Sequence, residues 1–343
     1  MNRRSVLATI AMGAACMITS NLEAAVPEER DAMVTVSGVE IACRFTLPHG
    51  APCGAVLLVP GSLYSDVDGN YPSMNMRPHA YADLARQLGK QGFAVLRMAK
   101  IGPGTGSRTT NAEAARRHID FLTRVEVAAA GLDLLRRTVP ARPVIVAGHS
   151  EGAVVASLLA VGAADESIDG VVSLSGPALP LLSIIRGQVV AMTPRGVASD
   201  MTMFDQLVIA IREGRPPSDE AKTNPQTAML ASMPEQGLAY LRSADRIEPV
   251  AALAKVRQPV LIVQGGRDES VPPSHADILR AGRGGLPTEV ATFPSLTHFY
   301  KVAPAGLAPM QSMTLETDSD PAVAEAIARW ASHFRRQSTR SRQ

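Results

Sequence analysis

Five residues, Gly148-His149-Ser150-Glu151-Gly152, stand between a β-branched run, Pro143–Ala147, and a run of small residues, Ala153–Ala163. A serine on a sharp strand-to-helix turn presents its hydroxyl where it can attack a carbonyl carbon. The reason for the pattern is steric. The turn holds the serine in a strained backbone conformation, and side chains two residues away on either side would clash, so glycine stands at both places. The helix N-terminus beneath the serine favours developing negative charge. The flanks Val144-Ile145-Val146-Ala147 and Ala153-Val154-Val155-Ala156 supply the strand and helix this turn needs.

A serine hydroxyl is a poor nucleophile until a base, oriented by an acid, takes its proton. The chain has seven histidines. His149 lies inside the turn and cannot easily reach its neighbour's oxygen. His49, His79 and His118 precede the serine, His275 follows Pro272-Pro273 on a helical run, and His333 belongs to the last helical run. His298 sits in Pro294-Ser295-Leu296-Thr297-His298-Phe299, just after the last strand run, and the carboxyl end of a strand is where parallel sheets display reactive groups. Asp268, in Gly265-Gly266-Arg267-Asp268-Glu269-Ser270-Val271-Pro272, follows the strand run Pro259–Gln264 in the same way. Chain order is Ser150, Asp268, His298, and the last two are far enough apart for one helix and one strand. Glu269 is the second choice of acid and His275 the second choice of base.

These side chains need a scaffold. Met33–Val36 and Ile41–Thr46 alternate around Ser37-Gly38 and read as an antiparallel hairpin. Ala55–Val59, Phe93–Met98, Pro143–Ala147, Ile168–Leu174, Pro259–Gln264 and Thr288–Phe293 read as strands, several of them continuous enough to be buried on both faces. Helical runs separate them: Pro78–Gln91, Ala114 to Val139, Ala153–Ala163, Ser274–Ala281 and, last, Pro321–Phe334. This alternation implies a parallel sheet with helices on both faces. Between Pro177 and Arg246 no strand run occurs. Leu181–Val190, Phe204–Arg212 and Thr227–Leu241 are helical there, broken by Pro194, Pro216-Pro217 and Pro225. Met192, Met201, Met203, Met229 and Met233 suit either the core of this insertion or an adaptable apolar pocket beneath a lid.

The Gly148–Gly152 elbow, the Gly-x-x-Asp-x-x-Val-Pro loop at Asp268 and the late loop histidine fall in the order of the α/β-hydrolase family, which residues 33–336 resemble. The resemblance implies Ser150 as nucleophile, Asp268 as acid and His298 as base. It implies an α/β fold with a mostly parallel sheet of about eight strands, with core segments 33–176 and 247–336 and a helical lid at 177–246. Two backbone amides must face the developing oxyanion. The resemblance assigns them to Glu151, after the nucleophile, and to Ser62 in Pro60-Gly61-Ser62-Leu63, with Leu63 as the other candidate. The stretch Pro60–Gly69 is similar to one found in a bacterial esterase and peptidase-like subgroup, with Leu63 in place of a glycine. The activity implied is ester cleavage through an acyl-enzyme. The same triad also serves peptidases, thioesterases and acyltransferases, and the fold does not choose among them. A peptidase that holds free amino termini needs acidic residues at its pocket, and Glu213, Asp219, Glu220 and Glu235 are the candidates in the insertion.

The rest of the sequence narrows the class. Of 343 residues 46 % are hydrophobic and 19 % charged, a globular composition. A net charge of +2 leaves no electrostatic footprint for nucleic acid. Asp66, Asp68 and Asn70 resemble a calcium loop, but Tyr71 and Arg77 stand where an EF-hand needs glycine and glutamate, so local hydrogen bonding is expected. Gly102-Pro103-Gly104-Thr105-Gly106-Ser107 lacks the lysine of a phosphate loop and reads as a tight loop near the site. No metal and no cofactor is expected, and the expected partner is a small-molecule ester; oligomeric state stays open. Met1-Asn2-Arg3-Arg4 followed by an uncharged apolar stretch to Ser20 reads as an export signal over residues 1–25, with a twin-arginine character and cleavage after Ala24 or Ala25. The mature protein is then expected in the periplasm or outside the cell, with no stable membrane insertion. Residues 337–343 read as a disordered tail. Of the three cysteines, Cys43 and Cys53 survive cleavage and flank a turn-prone segment; a bridge and two free thiols are both open.

Overall fold

The β-branched runs become the strands of one sheet. The computed structural model describes residues 26–102, 107–109, 120–163, 167–192, 200–307 and 311–340, with backbone alone at 107–109 and 335–340. Strands β1 (Glu28–Val36) and β2 (Val39–Leu47) form the antiparallel hairpin, in register from Glu28–Leu47 to Val36–Val39. Ser37 and Gly38 turn it with positive φ. Next come β3 (Gly54–Val59), β4 (Phe93–Met98) and the short β5 (Ser107–Thr109). The series ends with β6 (Val144–His149), β7 (Gly170–Leu174), β8 (Val260–Gly265) and β9 (Thr288–Phe293). The spatial order is β1-β2-β4-β3-β6-β7-β8-β9, with β5 paired to β2. From β4 to β9 every pairing is parallel.

Alternation along the central strands sorts the core into two layers. Ala55, Leu57 and Val59 of β3 face a layer closed by α2 (Phe121–Thr138), α3 (Glu151–Gly162) and α10 (Ser274–Gly282). Val56 and Leu58 face the opposite layer, closed by α1 (Ala80–Lys90) and α11 (Ala322–Arg340) through Leu84, Leu88, Ile327 and Trp330. Strands β3, β4, β6, β7 and β8 are buried along their whole length, as a sheet covered on both faces requires.

Between β7 and β8 the described chain is helical: α4 (Leu181–Met192), α5 (Thr202–Glu213), α6 (Asp219–Thr223), α7 (Ala228–Ala231), α8 (Glu235–Asp245) and α9 (Pro249–Ala254). Leu182, Phe204, Leu207, Ile211, Leu230 and Leu238 belong to a separate apolar cluster there. Asp245 fastens the cluster to itself, accepting from the Leu182 amide at 2.8 Å and from Arg212 at 2.7 Å. The methionines divide. Met201 is buried and Met203 and Met233 pack on the cluster, whereas Met192 and Met229 are exposed.

Three details depart from the sequence reading. Strand β1 begins at Glu28 rather than Met33, because its first residues are charged and exposed and carry no apolar alternation. Strand β5 begins at Ser107, the end of the stretch read as a glycine-rich loop; residues 103–106 lie outside the described residues. The last helix continues to Arg340, into the segment read as a disordered tail, because Gln337-Ser338-Thr339-Arg340 holds no glycine or proline to stop it. Residues 1–25, which include Cys16 and the stretch read as an export signal, and residues 341–343 also lie outside the described residues, as does His118. No described helix is long and apolar enough to cross a membrane.

Candidate functional site

Ser150 joins β6 to α3 with φ 54° and ψ −126°, a strained conformation for a non-glycine residue. Both flanking glycines are required. A Cβ on Gly148 would lie 2.1 Å from the Gly152 carbonyl oxygen, and one on Gly152 would lie 2.5 Å from the carbonyl oxygens of Val59 and Pro60. The second contact shows what the turn accomplishes: it brings the start of α3 against the end of β3, where the Pro60–Leu63 loop begins.

Asp268 follows β8 and His298 follows β9, and the two side chains meet. His298 Nδ1 lies 2.8 Å from Asp268 Oδ2, and both residues are buried. The carboxylate is firmly held. Its Oδ1 accepts from the amides of Ser270 at 3.0 Å and Val271 at 2.8 Å, and its Oδ2 accepts from Gln264 Nε2 at 3.2 Å. Burial pushes the Asp268 carboxyl up, but the His298 charge, the His298 hydrogen bond and the Val271 amide outweigh it and leave the group below its ordinary value. Ser150 stands at the end of β6, its amide bonded to the Leu174 carbonyl of β7 at 2.7 Å. No hydrogen bond joins Ser150 Oγ to His298 among the described residues; in ligand-free enzymes that contact is commonly long and tightens with substrate.

The other described histidines are committed elsewhere. The His149 ring lies 4.5 Å from the His298 ring, centre to centre, and its Nε2 bonds the His298 carbonyl at 2.9 Å. His275 Nδ1 accepts from the Ala178 amide at 2.8 Å, which fixes it as a buried structural group. His49 bonds the Val26 carbonyl, and His333 is exposed beside Glu289. His79 pairs with Asp83 at 2.9 Å and its Nε2 bonds the Glu316 carbonyl at 2.8 Å. His79, Asp83 and Asp318 bring their ligand atoms within 4.8 Å of one another, but Asp83 is already engaged by Arg86, Lys301 and the Ser319 amide. Glu269 lies beside Asp268 in the loop, half-buried, and the bond to the His298 ring is made by Asp268.

Around the proposed amide donors the structure adds residues that no spacing pattern marks. The Gly61 amide donates to the Tyr81 hydroxyl at 2.8 Å. The amides of Ser62 and Glu151 donate to no protein acceptor among the described residues, and Glu151 stands in the first turn of α3, where intrahelical partners are missing. The Glu151 side chain turns inward and is buried. Its Oε1 accepts from the Tyr240 hydroxyl of α8 at 2.6 Å. Its Oε2 lies 2.9 Å from Arg124 and 3.8 Å from Lys100, as an ion pair without a well-aligned hydrogen bond. Burial pushes the Lys100 ammonium down to about 7, with Arg124 adding to that and Glu151 opposing it. Burial pushes the Glu151 carboxyl up, but the Lys100 and Arg124 charges and the Tyr240 hydroxyl win, so it stays ionised below its ordinary value. The signal that could have found these groups is a charged residue two positions after a buried strand (Lys100) and another directly after the elbow serine (Glu151).

The aspartates near the loop are occupied locally. Asp66 Oδ1 accepts from the amides of Asp68 and Asn70, each at 2.9 Å, and Asp68 pairs with Arg97 at 2.8 Å. The acidic residues Glu213, Asp219, Glu220 and Glu235 of the insertion are all exposed, and three of them pair with neighbouring Arg215, Lys222 and Arg242. Cys43 is buried in β2 and Cys53 half-buried before β3, and both are free thiols.

The chain is similar to several known hydrolases. It is 27 % identical over 311 residues to Esterase EstD of Thermotoga maritima, covering 88 % of this chain and 67 % of that one. Among solved structures, Est1E from Butyrivibrio proteoclasticus superposes with a TM-score of 0.53 at 17 % identity, covering 88 % of this chain and 96 % of that one. The Pyrococcus horikoshii acylaminoacyl peptidase superposes with a TM-score of 0.51 at 14 % identity, covering 84 % of this chain and 40 % of that one. At such identities the two structures show a shared fold. The match that decides membership is to the family model described as serine aminopeptidase S33, over residues 74–300, which takes in the elbow and both loops. By that match and by its sheet, the chain belongs to the serine aminopeptidase S33 family of α/β hydrolases.

Proposed function

We propose that the protein is an exported serine hydrolase that cleaves carboxylic esters of small molecules, with Ser150 as nucleophile, His298 as base and Asp268 as the acid that orients the base. The observation that carries this reading is the 2.8 Å bond between His298 Nδ1 and Asp268 Oδ2, at the sheet end where Ser150 sits in its strained turn. His298 Nε2 takes the Ser150 proton as Oγ attacks the ester carbonyl. Asp268 holds the proton on Nδ1 and stabilises the imidazolium that forms. The amides of Ser62 and Glu151 receive the oxyanion. The tetrahedral species collapses to an acyl-enzyme as His298 returns the proton to the departing alcohol. Water, losing a proton to His298, then releases the carboxylic acid and restores Ser150.

Ester rather than peptide cleavage is supported by the esterase names of EstD and Est1E. The family's description and the acylaminoacyl peptidase favour a second reading as a peptidase. Against it, the four acidic residues suited to an amino terminus point to solvent. The helices between β7 and β8 act in this reading as a lid over the substrate. Arg3-Arg4 and the apolar stretch after them carry the protein out of the cytoplasm.

Purified protein assayed against a panel of p-nitrophenyl esters and amino-acid p-nitroanilides tests the reaction class. Turnover of esters with none of the anilides is expected; turnover of free-amino anilides above esters would move the assignment to the peptidase. Fractionation of cells expressing the full chain, with N-terminal sequencing of the product, tests export. A product beginning near residue 25 outside the cytoplasm is expected, and an uncleaved cytoplasmic chain would refute it.

A further inference from the structure

The peptide groups that carry the candidate oxyanion donors are gripped from behind. In a planar trans peptide the carbonyl and the following N–H point in opposite directions, so fixing one fixes the other. The Ser62 N–H shares its peptide with the Gly61 carbonyl. Arg124 Nη2 donates to that carbonyl at 3.0 Å and also to the Pro60 carbonyl. The next peptide, which carries the Leu63 N–H, has its Ser62 carbonyl held by Lys100 Nζ. Both cations are buried and share one counter-ion, the carboxylate of Glu151, whose own N–H is the other candidate donor. The Tyr240 hydroxyl, from the helical insertion, donates to Glu151 Oε1 at 2.6 Å and lies 3.3 Å from Arg124 Nη1. The Tyr240 ring also lies 4.6 Å from Lys100 Nζ, within cation–π range.

We propose that Arg124 is a positioning residue of the oxyanion hole, holding the Gly61–Ser62 peptide by its carbonyl, and that Glu151 and Tyr240 hold Arg124 in place. The arrangement has two consequences. A cation on the carbonyl side of a peptide polarises its N–H and makes it a better donor to a developing anion. A hydroxyl on α8 makes the insertion part of the frame that orients both donors. Arg124 reaches the reaction only through the peptide it holds. A guanidinium suits this because one planar fork spans two adjacent carbonyls and a carboxylate, which an ammonium cannot do.

The inference rests on the ester-hydrolase reading above, and the test separates the two. Arg124→Lys and Tyr240→Phe are compared with the wild type and with Ser150→Ala on a p-nitrophenyl ester, with active sites titrated so that kcat refers to folded enzyme. The same proteins are titrated with a trifluoromethyl ketone, which adds to the serine and places an oxyanion in the hole. For Arg124→Lys, kcat is expected to fall on the order of tenfold to a hundredfold, somewhat less than loss of a donor itself. KM should change little, and the ketone inhibition constant should rise by the same factor as kcat/KM falls. Tyr240→Phe should show a smaller effect of the same kind, and it decides the question alone if Arg124→Lys does not fold. A purely structural role would lower the melting temperature and the fraction of active enzyme while leaving ketone affinity per active site unchanged, and that result overturns the proposal. Wild-type kcat and ketone affinity in both variants also overturn it. Retained activity in Ser150→Ala would instead refute the reading on which the proposal stands.

Discussion

His149 Nε2 donates to the main-chain carbonyl of His298 at 2.9 Å. A carbonyl only accepts, so the imidazole proton is on Nε2 and Nδ1 is the acceptor. That acceptor faces the Tyr81 hydroxyl at 3.1 Å, and the same hydroxyl accepts from the Gly61 amide at 2.8 Å. A single neutral ring therefore ties the elbow, the loop of His298 and the loop of Ser62 into one continuous chain of hydrogen bonds.

This ring makes the fold acid-sensitive. Burial, with the nearby His298 charge adding to it, pushes the His149 imidazole from its ordinary 6.5 down to about 3. Between those values the unfolded chain binds a proton that the folded chain refuses. Stability contributed by the neutral ring is complete above pH 6.5 and is lost as pH falls toward 3, at up to about 1.4 kcal/mol per pH unit. His149→Gln should be less stable at neutral pH yet show a shallower loss across this window. Urea unfolding at steps through the window measures the slope; equal slopes in the two proteins would contradict the assignment.

Replacing Ser150, the proposed nucleophile, should abolish turnover and leave the fold intact. Ser150→Ala removes only the hydroxyl, and loss of a triad member costs several powers of ten in kcat. Its circular dichroism spectrum should match the wild type. A variant that kept a tenth of the activity would show that no covalent step runs through Ser150.

Asp268→Asn tests the proposed orienting acid separately. An amide in this place can donate to Nδ1 and so favour the wrong imidazole tautomer, which lowers kcat by about 10⁴-fold. The Ser270 and Val271 amides that now hold Oδ1 can still bond the amide oxygen, so folding should survive. Measured kcat within tenfold of the wild type would assign the orienting role to another group, with Glu269 the first to examine.

The two thiols should react very differently. Burial pushes the Cys43 thiol up to about 12, and its residue is only 2 % exposed, whereas Cys53 is half-buried at the sheet's rim. A thiol reagent should label Cys53 in the native protein and reach Cys43 only on unfolding. Cys43 and Cys53 should both titrate as thiols in the unreduced, denatured chain; neither titrating would reveal a bridge.

The local elements were legible from residue types alone. Gly148 and Gly152 around Ser150, set between a β-branched run and a small-residue run, leave one backbone path, because any Cβ at either glycine collides with main chain. Asp268 and His298 could each be placed at a strand end because β8 and β9 announce themselves by composition. Strand β1 was legible only from Met33, since Glu28 to Asp31 are held by pairing with β2 and by the Glu29–Arg97 ion pair rather than by any apolar pattern. What only the tertiary structure decided is how the charged groups meet. Lys100, Arg124, Glu151 and Tyr240 come from a strand end, two helices of the sheet layer and a helix of the insertion, and nothing in their spacing along the chain marks them as partners. Their meeting is fixed by burial: a charge withdrawn from water must find an opposite charge or a hydrogen bond, and only the packed fold determines which ones are within reach.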